Sequence, residues 1–265
     1  MRLYERDYSF ITQKEQEQEL KITDEHTSYL GKHKVYNSGM YRKFPKAIRH
    51  FKSLFPNNFL DITDLKDVED LHSKNNSFKE LIENSKSIET DIKNHIMDNK
   101  SFHILGSMLK EYHFGHHGAY LFPEFQLGNS FQVDYVLVGN SSGGYQFLLV
   151  EFENPYGRIT IGSGEFGQEI RKGSKQIDDW KIWIEANYSS FIETFQKETD
   201  KNLPKEFYKL DTTRIHYALV AGRRNNFTEK TYNLKRRLMR EQSIKLLHYD
   251  NLYDLAERII GEATY

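Results

Sequence analysis

Regular spacing of apolar positions is concentrated in the second half of the chain. Residues 119–127 (AYLFPEFQL) and 131–138 (FQVDYVLV) are short apolar runs joined by Gly128, Asn129 and Ser130, and they predict a hairpin. Residues 145–153 (YQFLLVEFE) predict a third strand, announced by the turn residues Asn140, Ser141, Ser142, Gly143 and Gly144. A Gly-rich loop runs from Asn154 to Gly164. After it, Phe166, Ile170, Ile177, Trp180 and Ile184 recur as on one helix face. Gly173 interrupts that helix and marks a close approach to the sheet. Residues 214–221 predict another strand, followed by Gly222 and a basic helix from Thr228 to Arg240. A short strand over 243–248 and a helix capped by Asp250 end the pattern.

Hairpin, helix, strand, helix, strand, helix describes an α/β domain with a mixed sheet, expected over residues 100–265. Residues 1–99 are expected to form a smaller, mainly helical region. Within it, Phe78, Leu81, Ile82, Ile88, Ile92 and Ile96 predict one or two exposed helices. Ile104, Leu105, Met108 and Leu109 predict a short apolar helix over 101–112. Residues 1–60 mix polar and aromatic positions without a period, and no element is predicted there.

Composition narrows the class. Apolar residues make up 38% and aromatics 14% of 265 residues, so the core must lean on Phe, Tyr, Ile and Leu. The absence of cysteine excludes disulfides and thiolate metal sites and fits a reducing cytoplasm. No window approaches the roughly 18 apolar residues of a membrane span, and the charged start (MRLYERD) lacks a signal-type apolar stretch. A cytoplasmic, membrane-free protein is expected. The net charge of −1 hides an uneven distribution. Lys32, Lys34, Arg42, Lys43, Lys46, Arg49 and Lys52 fall in an acid-free window, interleaved with Tyr36, Tyr41, Phe44 and Phe51. Arg223, Arg224, Lys230, Lys235, Arg236, Arg237 and Arg240 form a second run. Such runs neutralise phosphates or line solvated faces, and both readings stay open.

The candidate chemistry lies in the strands. Alternation places Asp134, Val136 and Val138 on one face, with Val133, Tyr135 and Leu137 on the other. Glu151 and Glu153, two apart, share a face of the next strand. If the strands pair, three carboxylates converge and repel, and Mg²⁺ or Mn²⁺ would relieve that repulsion. Spacing alone leaves open that these acids simply face solvent.

The order of the acids resembles the PD-(D/E)XK nucleases: Glu111 before the hairpin, Glu124 and Asp134 in successive strands, then Glu151-Phe152-Glu153-Asn154-Pro155. Gln176 and Trp180 are similar to the Q-x-x-x-(Y/W) motif of several branches. Ala218-Leu219-Val220-Ala221-Gly222-Arg223 and Leu246-Leu247-His248-Tyr249-Asp250-Asn251-Leu252 resemble the closing segments of the Shedu antiphage-defence family. The likeness covers roughly residues 100–260 and rests on order and spacing rather than on any single motif. It implies a restriction-endonuclease-like fold cutting DNA with Mg²⁺ or Mn²⁺. Asp134, Glu151 and the Phe152 carbonyl would hold the ion, and Gln176 would position the site. Glu111 is implied as an outer ligand, and Glu124 faces elsewhere. The resemblance also implies a homo-oligomer with a sensing or regulatory N-terminal part.

One position departs from the pattern. Glu153 stands where the family carries lysine, so it is expected to serve as a second metal ligand or as a general base. Lys175 or Arg158 would then supply the missing positive charge. The alternative is a weakened site in a module that binds nucleic acid or regulates partners. Two further motifs are weak. Gly115 and Gly118 break the helix that His113, His116 and His117 would need to share a metal. Gly162-Ser163-Gly164-Glu165-Phe166-Gly167 spells a phosphate-loop pattern, but no strand feeds it.

Overall fold

The computed structural model describes residues 2–30, 33–36 and 39–265, and Lys32 of the first basic run lies outside the described residues. The N-terminal part opens with α1 (Gln13–Glu25), started by a capping box in which Thr12 and Glu15 satisfy each other's backbone N–H groups. An antiparallel pair follows, β1 (Thr27–Leu30) and β2 (His33–Tyr36), then the short helices α2 (Met40–Lys43) and α3 (Lys46–Lys52). Acids from outside the acid-free window neutralise much of it. Arg49 is buried against Asp61 at 2.8 Å, Lys46 pairs with Asp64 at 2.5 Å, and Lys52 pairs with Glu19. These three bases hold the fold rather than a phosphate.

Three helices come next, α4 (Val68–Glu83), α5 (Glu89–Asp98) and α6 (Phe102–Gly106). They are not merely exposed: α4 buries Leu71, Phe78 and Ile82, and α5 buries Ile92 and Ile96. The rest of the chain gives β3 (Gly118–Leu127), β4 (Phe131–Ser141), β5 (Gly144–Phe152), α7 (Gln168–Ala186), α8 (Tyr188–Gln196), β6 (Ile215–Val220), α9 (Glu229–Gln242), β7 (Ile244–Leu247) and α10 (Tyr249–Ile259). Helix α8, held by Phe191, Ile192 and Phe195, was not foreseen from the sequence.

The five longer-range strands form one sheet in the order β3-β4-β5-β6-β7, antiparallel at the first two junctions and parallel at the last two. Helices cover both faces, which is why β4 and β5 are apolar on both sides. One core joins Tyr135, Leu137, Leu148, Val150 and Val220 to α4, α5, α6 and α10. The other joins Val136, Val138, Leu149 and Leu219 to α7 and α8. Phe78, Ile82, Ile92 and Ile96, from before the boundary expected at residues 99 and 100, pack in the first of these cores with the sheet.

Two expectations are corrected here. Val133 does not share a face with Tyr135; it packs in the α7-side core with Val136 and Val138. The cause is a break in both strands of the hairpin. Glu124 takes a left-handed φ of 50°, and the register passes from Pro123↔Tyr135 to Phe125↔Val133, skipping Glu124 and Asp134. The second correction concerns the last helix. Its cap is His248, whose Nδ1 accepts the Asn251 N–H at 3.1 Å. Asp250 is drawn instead to Arg223, at 2.7 and 3.0 Å, in a forked pair.

Candidate functional site

Strand β5 carries a carboxylate into the interior because its neighbours are so apolar. Phe147 to Val150 bury both faces of the strand, and Glu151 follows with only 4% of its surface exposed. Glu153, just past the strand, is 1% exposed. Its main chain stays tied to the sheet: its N–H donates to the Val220 carbonyl at 2.8 Å, and its carbonyl accepts the Tyr249 hydroxyl at 2.8 Å. One oxygen of each carboxylate, Glu151 Oε2 and Glu153 Oε1, is buried without a hydrogen-bond partner.

Asp134 reaches this pair from the break in β4. Its Oδ2 accepts the Phe152 N–H at 2.8 Å, so a side chain replaces a rung of the ladder beyond Tyr135↔Val150. Its Oδ1 accepts from Lys93 Nζ at 2.7 Å, and Lys93 also donates to Glu89 Oε1 at 2.9 Å. The Phe152 side chain turns into the opposite core, so its main chain alone faces the acids. Glu89 and Lys93, both on α5, were missed by the sequence reading, which placed the helix acid at Glu111. Glu111 instead pairs with Lys245 at 2.8 Å, on the far edge strand β7.

Helix α7 closes the other side. A Cβ on Gly173 would lie 2.5 Å from Leu219 Cδ1 and 3.1 Å from Glu153 Cγ, so only glycine lets the helix come this near. That approach puts Lys172 Nζ 3.0 Å from Glu153 Oε2. Gln176, one turn on, is half-buried. Lys175 and Arg158 are exposed, and among the described residues no ion pair joins them to these acids. The Gly-rich loop folds back on itself through a Thr160↔Phe166 bridge and the Gly164 N–H to Ile161 carbonyl bond, without forming a phosphate cradle. His113, His116 and His117 are exposed around the buried Phe114. In the second basic run, Arg223 and Arg224 are committed to Asp250 and Asp254.

The electrostatics follow from this packing. Burial, then the charges of Asp134, Glu153 and Glu89, push the Glu151 carboxyl far above the usual carboxylate range. Burial likewise raises Glu153 against the pull of Lys172, and raises Asp134 against the pull of Lys93. Among the described residues no three acids or imidazoles stand close enough as placed to hold a metal ion. The donor chemistry nevertheless suits a hard cation. Every ligand atom is oxygen, two are unpartnered, and the excess negative charge is only partly offset by Lys93 and Lys172.

Comparison with curated proteins finds no match. A family model for the C-terminal part of the Shedu protein SduA matches residues 72–253, more than half of the 265 residues and a span that includes Glu89, Lys93, Asp134, Glu151, Glu153 and Lys172. The match begins within α4, so it takes in the helices that pack beneath the sheet as well as the strands. The chain belongs to the Shedu family.

Proposed function

We propose that the chain is a divalent-cation-dependent DNA endonuclease of the PD-(D/E)XK type acting in antiphage defence. The observation carrying this reading is the pair of buried, unpartnered carboxylate oxygens on Glu151 and Glu153 beside Asp134. Such a cluster costs folding stability, and groups perturbed in this way are concentrated at functional sites. Family membership suggests the defence role. Asp134, Glu151 and the Phe152 carbonyl would hold Mg²⁺ or Mn²⁺, which leaves Glu153 as the general base. When bound, the ion supplies Lewis acidity to a water and to the scissile phosphate.

The chain's own groups do the rest. Glu153 Oε1, raised toward neutrality, takes a proton from the attacking water, whose oxygen forms a new bond to phosphorus. The opposite ester bond breaks, and its oxygen leaves with a proton from solvent. Gln176 hydrogen-bonds the DNA backbone, and the exposed Arg171 and Lys175 of α7 neutralise flanking phosphates. Homo-oligomeric assembly in the cytoplasm belongs to the same proposal. Among the described residues, no helix is long and apolar enough to cross a membrane. A binding-only module is the competing reading, favoured by the glutamate at position 153.

Incubation with supercoiled plasmid and Mg²⁺ or Mn²⁺ separates the two. The natural chain is expected to nick or linearise the plasmid, with Asp134→Ala slowed by roughly 10²–10³-fold. DNA bound but uncut by the natural chain with either ion would sink the nuclease reading in favour of the module.

A further inference from the structure

The strand position that would carry a phosphate-facing cation holds an acid, yet a cation stands over it. We propose that Lys172 supplies this charge from helix α7, with Glu153 as its positioning residue; this rests on the nuclease reading above. The Glu153 side chain is buried, and its Oε2 accepts from Lys172 Nζ at 3.0 Å. The geometry is imposed by Gly173, which brings this turn of α7 against Leu219 and the Glu153 stem.

Two lysines reach the carboxylate cluster, and their surroundings differ. An ammonium has three donors. Lys93 gives two of them to Glu89 and Asp134, and its side chain is 28% exposed. It acts as a structural counter-ion between α5 and β4. Among the described residues Lys172 has one acceptor, and its side chain is 57% exposed, so donors remain for a ligand arriving from solvent. Lys172 thus donates to a non-bridging phosphate oxygen and keeps its proton while water adds and the ester bond breaks. Glu153 divides its labour, with Oε2 holding the lysine and Oε1 facing the water.

The test uses the full chain with Lys172→Met and Lys172→Arg. Plasmid cleavage in Mn²⁺ is measured beside the salt dependence of binding to a short DNA duplex without metal. Circular dichroism confirms folding. Lys172→Met is expected to cut roughly 10²-fold more slowly and to lose about one unit of slope in log Kd against log salt, the signature of one lost phosphate contact. Lys172→Arg is expected to keep cleavage within about tenfold. Cleavage by folded Lys172→Met within about threefold of the natural chain overturns the proposal, as does an unchanged salt slope. If the natural chain cuts nothing, the nuclease reading has failed separately. The slope then decides alone whether Lys172 faces phosphate.

Discussion

Glu151→Gln is expected to unfold at a higher temperature than the natural chain in metal-free buffer at pH 8, while cutting no plasmid. Glu151 is buried among Asp134, Glu153 and Glu89, and its Oε2 has no partner. Keeping a carboxylate there means either an unpaired buried charge or a proton held against solvent at pH 8. The amide has the same shape and no charge. Replacing a buried ion pair with neutral residues of similar volume is neutral or stabilising by about 1–4 kcal/mol, and relief of an unpaired carboxylate is expected in the same range. For a chain of this size each kcal/mol moves Tm by about 2–4 °C, so a gain of roughly 2–16 °C follows. Saturating Mg²⁺ should narrow or reverse the difference, because the ion stabilises only the chain that binds it. A Tm for Glu151→Gln equal to or below the natural value in EDTA would show that Glu151 carries no such stress.

The same stress sets the pH dependence of the natural chain. Glu151 is pushed up to about 10, against an ordinary 4.5. Between neutrality and pH 10 the folded state therefore binds a proton that the unfolded state has released, and stability falls as pH rises. One proton contributes about 1.4 kcal/mol per pH unit, or about 3 kcal/mol from pH 7 to 9. Three histidines act in the opposite direction. Burial lowers His50, His103 and His248 to about 4, so the unfolded chain takes up protons first as pH drops below 6.5. Stability falls on that limb too. Metal-free protein should show its highest Tm near pH 6.5–7, with Mg²⁺ flattening only the alkaline limb. Calorimetry across pH 5–9 checks this. An alkaline limb unaltered by both Mg²⁺ and Glu151→Gln would place its origin outside the acid cluster.

The sheet was readable because its strands are buried on both faces and so appear as continuous apolar runs. What alternation does not encode is the break at Glu124 and Asp134, where a residue other than glycine takes a left-handed turn and exchanges the faces. Asp134 was found from its place in the strand, but not the Phe152 N–H it accepts. Glu89 and Lys93 could not be found from spacing, since Lys93 lies 41 residues before Asp134 on a helix that reads as exposed. Lys172 did leave a signal. It is four residues from Gln176 and shares its helix face, whereas Lys175, adjacent to Gln176 in sequence, is turned about 100° from it around the helix. Among the described residues of 1–60, α1 buries no residue and the rest is short helices, a two-stranded sheet and an isolated bridge, Phe59↔Tyr120, so no long apolar period arises.

The meander β3-β4-β5 also constrains the order in which a chain assembles this site. Tight turns join its strands, so Asp134 and Glu151 meet through local contacts, which form early. Their counter-ions come from outside it: Lys93 on α5, and Lys172 on α7, 19 residues past Glu153. During folding the acids are thus together before either lysine has docked, and this mutual repulsion weighs on the transition state. Stopped-flow refolding in EDTA should quicken by roughly two- to fivefold from pH 8.5 to 7, where a proton can occupy the pair, as expected for about 1 kcal/mol of relieved repulsion. Glu151→Gln should abolish that dependence. Equal pH dependence in both chains would mean that the helices dock first, and that this acid cluster never passes through an unneutralised stage.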